Sequence, residues 1–103
     1  MPSILVIYNP IAGRGRAKKY WPEVRQGLIE AGTEFDLAET SAPLDAMDIA
    51  QQAATKYNAV IAVGGDGTVH EVVNGLLRAS SELETIALGV IPLGNGDDFA
   101  KMI

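Results

Sequence analysis

Four short strand-like runs alternate with three longer stretches of helical periodicity, and this alternation constrains the 103-residue chain more than any other feature. Ile4-Leu5-Val6-Ile7-Tyr8 and Ala59-Val60-Ile61-Ala62-Val63 are apolar throughout. That is the pattern of strands buried on both faces of a parallel sheet. Residues 33–40 alternate instead, with Phe35 and Leu37 on one face and Glu34, Asp36 and Glu39 mostly on the other. They predict a half-exposed strand at a sheet border. Ala87-Leu88-Gly89-Val90-Ile91 is a fourth strand, stopped by Pro92. Between the strands, three sets recur at helical spacing: Tyr20, Trp21, Val24, Leu28 and Ala31; Ala46, Ile49, Ala50 and Ala53; Val69, Val72, Val73, Leu76 and Leu77. Pro22 lies inside the first set, so that helix either begins near it or is kinked there. Asp45 and Asp48 fall near the positive N-terminus of the second. Parallel neighbours need a covering, right-handed crossover, so the order β-α-β-α-β-α-β predicts an α/β fold of three layers, α/β/α, around a parallel, Rossmann-like four-stranded sheet.

A chain of this length closes one core, and 48% apolar with 20% charged residues excludes disorder. Without Cys there are no disulfides or thiolate metal sites, and His70 alone cannot build a His cluster. The absence of Cys fits a reducing compartment, and a cytoplasmic location is expected. The longest apolar runs fall far short of the ~20 residues of a membrane span. Met1-Pro2-Ser3 lacks the basic start of a secretory signal. A net charge of −5 argues against nucleic-acid binding. Yet four of the eight basic residues, Arg14, Arg16, Lys18 and Lys19, fall within six positions beside glycines. They are either an anion site or a solvated loop.

In open parallel sheets, ligands bind beyond the carboxyl ends of the strands. Three glycine-bearing segments follow strands here: residues 9–15, 64–68 and 94–98. The first two lead into helix N-termini, whose free N–H groups suit phosphate. Neither G-x-x-x-x-G-K-[ST] nor G-x-G-x-x-G spacing is present, so the common P-loop and dinucleotide readings fail. In Gly64-Gly65-Asp66-Gly67-Thr68, the two glycines let a ligand approach the backbone, and Asp66 offers a carboxylate to a phosphate-bound Mg²⁺. Thr68 with Glu71 matches a capping box, and the alternative reading is that Asp66 and Thr68 merely cap a helix.

Three strings carry a resemblance. Asn9-Pro10-x-x-Gly13, Gly64-Gly65-Asp66-Gly67-Thr68-x-x-Glu71-Val72-Val73-Asn74-Gly75-Leu76 and Pro92-Leu93-Gly94-x-Gly96-x-Asp98-Phe99-Ala100 closely resemble the diacylglycerol kinase catalytic family. That family includes bacterial lipid kinases, sphingosine kinases and ceramide kinases. The match runs in order over residues 4–101. NAD kinases and phosphofructokinases carry strings like the second, and the third separates the lipid-kinase group.

The resemblance implies that ATP is surrounded by Asn9, Pro10, Ile11, Ala12, Gly13, Thr40, Gly64, Gly65, Asp66, Gly67, Thr68, Glu71 and Asn95, with Asp66 near Mg²⁺. It implies transfer of the γ-phosphoryl of ATP to a lipid hydroxyl such as that of diacylglycerol. Asn95 stands where the family usually has Thr, and Asp97 where it has Asn. The added charge of Asp97 is expected to weaken ATP binding unless it holds metal or points away. His70 replaces a frequent Asn and reads as a helix-surface residue. Family members carry a second, mostly β domain that supplies the lipid cleft, the general base and further metal ligands. Here the final segment opens a helix and stops, so residues 1–103 are expected to be the N-terminal ATP-binding domain of a truncated two-domain lipid kinase. Alone it should be inactive. No catalytic residue is assigned within it, and the lipid acceptor and any peripheral membrane contact belong to the longer protein. The alternatives are a fragment of an NAD kinase-like enzyme and a non-catalytic nucleotide-binding module.

Overall fold

Sheet hydrogen bonding radiates from β1 (Ile4–Tyr8), which pairs in parallel with β2 (Asp36–Glu39) on one side and β3 (Ala59–Gly64) on the other. The structure is a computed structural model and describes residues 2–79 and 86–93. β4 (Ala87–Pro92) completes a four-stranded sheet of order β2-β1-β3-β4, with Val6 level with Leu37 and Ile61. The expected parallel α/β fold is present, with the alternating strand at its border.

The pleat of β1 sends successive side chains to opposite layers. Leu5 and Ile7 join the core beneath α2 (Asp45–Ala53) and α3 (Asp66–Ala79), whereas Val6 and Tyr8 join the core beneath α1 (Arg16–Glu30). A strand loaded on both faces must be apolar at every position, and this is the physical content of the Ile4-Leu5-Val6-Ile7-Tyr8 run. On the α1 side, Trp21 stacks on Tyr8 with ring centroids 4.7 Å apart and meets Phe35 edge-on at 6.5 Å. The helix runs through Pro22, which removes one backbone donor but leaves the Tyr20, Trp21, Val24 and Leu28 face on the sheet.

Three side-chain placements differ from expectation. Leu37 is 44% exposed, because a border strand has a neighbour on one side only. Asp36 is half-buried rather than solvated, and its carboxylate accepts a 2.6 Å hydrogen bond from the Tyr57 hydroxyl. That bond, with burial and the Asp36 charge, pushes the Tyr57 phenol up. On α3 the buried residues are Thr68, Val72 and Gly75, and Leu77 is 66% exposed. The helix is turned toward α2 because Gly75 lets the two backbones meet. A Cβ on Gly75 would collide with the Met47 carbonyl oxygen and come within 2.9 Å of the Ala50 Cβ.

The start of α2 is also unusual. Leu44 precedes it at φ 72 with no side-chain cap. Asp45, the first helical residue, turns its carboxylate backward and accepts from the Ser41 N–H (2.8 Å), the Ser41 hydroxyl (2.9 Å) and the Ala42 N–H (3.0 Å). The Ser41 bonds, chiefly, hold its carboxyl below the usual aspartate range against a small opposing effect of burial.

Two outcomes are expected. Gly75→Ala should lower stability by about 1–3 kcal/mol despite the better helix propensity of Ala, since backbone must move to admit the methyl. Urea unfolding measures this, and an unchanged midpoint would mean that the spacing of α2 and α3 is set elsewhere. In an NMR pH titration the Asp45 carboxylate should titrate below ordinary aspartates, with the Ser41 and Ala42 amide shifts moving at the same midpoint. Because the folded value is depressed, the tie is fully present above the ordinary range and is lost as pH falls through the folded value.

Candidate functional site

Sheet hydrogen bonding continues one residue past the strands and so levels their carboxyl ends. Asn9 N–H donates to the Val63 carbonyl (3.0 Å), Thr40 N–H to the Tyr8 carbonyl (2.9 Å) and Leu93 N–H to the Gly64 carbonyl (2.8 Å). Asn9, Thr40 and the Gly64-Gly65-Asp66 turn therefore stand on one edge, as a shared site requires. Asn95, the remaining residue expected there, and Asp97 lie outside the described residues.

The Asn9 side chain joins two of the glycine segments. Its Nδ2 donates to the Thr68 hydroxyl at 3.1 Å, and its Oδ1 accepts from the Ile11 N–H at 3.2 Å. Thr68 is consequently not the helix cap that the capping-box pattern suggested. α3 begins at Asp66, Val69 N–H donates to the Gly65 carbonyl, and Thr68 is a buried residue of the first turn. Gly64 is needed for the same packing. A Cβ there would lie 2.6 Å from the Thr68 Oγ1, so the room it leaves is taken by Thr68.

Beside this junction lies a pocket of about 260 Å³. Asn9 and Ile11 line it from the β1–α1 loop, Thr40 from the end of β2, and Glu71 from α3. These four were expected from the sequence. Ser41, Ala42, Pro43 and Ala46 also line it and were not expected, because Ser41-Ala42-Pro43 read only as the opening of a helix. The one available signal was their position directly after Thr40, at the end of a border strand. Other expected residues lie outside the pocket. Pro10 is half-buried on the loop, Ala12 packs against the α1-side core, and Gly13 has φ 64. Gly65, Asp66 and Gly67 form the outer start of α3, where Asp66 and Gly67 are exposed.

Charge divides the site into two parts. Among the described residues Glu71 is the one ionisable group lining the pocket, and none of the other lining residues is a cation. Outside it, the amides of Gly13, Arg14, Gly65, Asp66, Gly67 and Thr68 have no partner among the described residues. Arg14 and Arg16 are exposed at the start of α1, whose first turn holds no acid. Among the described residues no three His, Cys, Asp or Glu side chains converge at Asp66 or elsewhere. The pocket thus suits an uncharged polar or aromatic group, and the turns beside it suit an anion.

Residues 3–103 match the family described as the diacylglycerol kinase catalytic domain. The chain is similar to the diacylglycerol kinase of Bacillus subtilis (strain 168), 41% identical over 95% of this chain and 32% of that protein. It is similar to that of Staphylococcus haemolyticus (strain JCSC1435), 37% identical over 95% of this chain and 29% of that one. A crystal structure of a diacylglycerol kinase from Bacillus anthracis str. Sterne superposes with a TM-score of 0.75 at 34% identity, covering 96% of this chain and 35% of that one. The chain thus spans about a third of the length of the relatives it matches. By sequence over nearly its whole length, and by the fold that carries its glycine turns, the chain belongs to the diacylglycerol kinase catalytic domain family.

Proposed function

We propose that this chain is the ATP-binding part of a cytoplasmic lipid kinase, whose complete form transfers the γ-phosphoryl of ATP to a lipid hydroxyl such as that of diacylglycerol. The observation that carries this reading is a pocket that no cation lines among the described residues, beside backbone amides that have no partner among them, on the same sheet edge. At about 260 Å³ the pocket sits just below the ~300 Å³ at which small-molecule sites begin, so it takes part of a nucleotide rather than all of it. Ile11, Pro43 and Ala46 would hold the base and ribose, within reach of Asn9, Thr40 and Glu71. The amides of Gly65, Asp66, Gly67 and Thr68, with those of Gly13 and Arg14, would hold the phosphates.

Phosphoryl transfer depends on positioning and charge neutralisation more than on covalent chemistry from the protein, and backbone amides and basic side chains supply both. Asp66 is the residue that would hold Mg²⁺. A single hard carboxylate completed by phosphate oxygens and water is a usual environment for that ion, which when bound neutralises phosphate charge. The lipid cleft, the general base and further ligands belong to a second, β-rich domain of the longer protein. Any peripheral membrane contact is assigned to that longer protein; among the described residues no helix is long and apolar enough to cross a membrane. The family match favours this reading over an NAD kinase-like one.

The chain alone should bind ATP weakly and phosphorylate no diacylglycerol. NMR titration with ATP and Mg²⁺ should shift Asn9, Thr40, Glu71 and the 65–68 amides. Gly65→Val, which sets a branched side chain where phosphate must approach, should abolish those shifts. Asp66→Asn keeps the shape and removes the charge, so it should mainly weaken the Mg²⁺ dependence. Shifts confined to the opposite sheet edge, at Ser3, Asn58 and Ala87, would sink the assignment, as would an unaffected Gly65→Val protein.

A further inference from the structure

The outer wall of the pocket has little to hold it. β2 makes its last sheet bond through the Thr40 N–H, and the chain then leaves the sheet as Ser41-Ala42-Pro43. Pro43 has no N–H to donate, and Leu44 turns at φ 72. One backbone bond crosses the turn, from Asp45 N–H to the Ala42 carbonyl at 3.2 Å. Every other hydrogen bond to Ser41 or Ala42 among the described residues ends on a single atom, Oδ2 of Asp45. Asp45 itself does not line the pocket.

We propose that Asp45 is a positioning residue for the nucleotide: its carboxylate holds Ser41 and Ala42 in place as the wall against which the base and ribose pack. The inference rests on the nucleotide reading given above. A carboxylate accepting two N–H groups and a hydroxyl is a strong, charge-assisted anchor. It also stabilises α2 through the helix dipole, as an acid in any first turn would. The two roles separate by ligand. Loss of α2 stability acts on the whole fold and weakens every ligand alike. Loss of the wall weakens only ligands with a base and ribose, because triphosphate needs the glycine turns alone. If the wall is in place for a tenth of the time without its anchor, apparent ATP affinity drops roughly tenfold.

The test compares ATP with inorganic triphosphate, each with Mg²⁺, by NMR titration of the whole chain, alongside hydrogen exchange of the Ser41 and Ala42 amides. Asp45→Ala should weaken ATP roughly tenfold, leave triphosphate unchanged and speed exchange at both amides. Asp45→Asn, whose amide oxygen still accepts, should recover most of the ATP affinity. It also carries the test if Asp45→Ala does not fold, then showing a partial loss for ATP and none for triphosphate. Wild-type ATP affinity in Asp45→Ala overturns the proposal, and so does an equal loss of ATP and triphosphate. If the wild-type chain binds neither ligand, the nucleotide reading itself fails, an outcome distinct from both.

Discussion

Asn9 makes four hydrogen bonds at one point in the chain, and the arrangement of the site depends on three of them. Its backbone N–H extends the β1–β3 ladder, its amide nitrogen reaches Thr68 at the start of α3, and its amide oxygen turns the loop at Ile11. An aliphatic residue could supply the first bond but neither of the others. The Asn amide carries a donor and an acceptor on separate atoms, so one side chain serves both Thr68 and Ile11. The end of β1 is thereby tied to the first turn of α3, and the two glycine turns are held side by side. Pre-set geometry of this kind lowers the ordering cost of binding.

The layers divide the work. α1 covers the face of Val6 and Tyr8 with aromatic packing, and the basic residues at its start are exposed. α2 and α3 cover the other face with alanine and valine, small enough for the helices to approach closely. The pocket opens on that second side, between the end of β2 and α3. Its lining, with Glu71 as the ionisable group, lies beside the amide-rich turns that open α1 and α3, which is how one edge offers two kinds of surface side by side.

Much of this was legible in the sequence because period and burial coincide. Apolar β1 and β3, the alternating border strand, the Ala46–Ala50–Ala53 face and the aligned glycine turns follow from patterns with one physical solution each. What the patterns hid depends on contacts between distant segments. A capping box is a local rule, and Thr68 departs from it because Asn9, 59 residues earlier, engages its hydroxyl. Leu77 fits the α3 stripe, but which arc faces inward is decided by Gly75 meeting Met47, on another helix. Ser41, Ala42 and Pro43 carry no chemical signature, so their place in the pocket emerges only when the fold brings β2 beside β1.

The contact between Gly75 and α2 lies one helical turn below the pocket. Glu71 sits four residues before Gly75 on α3, and Ala46 four residues before Ala50 on α2, and both line the cavity. Two helices touching backbone to backbone act as a pair of levers pinned at that point. The bore of the cavity is then fixed by a residue that no ligand reaches. A Cβ at position 75 would meet the Met47 carbonyl oxygen, so the spacing of the two helix starts that line the cavity depends on a glycine outside it.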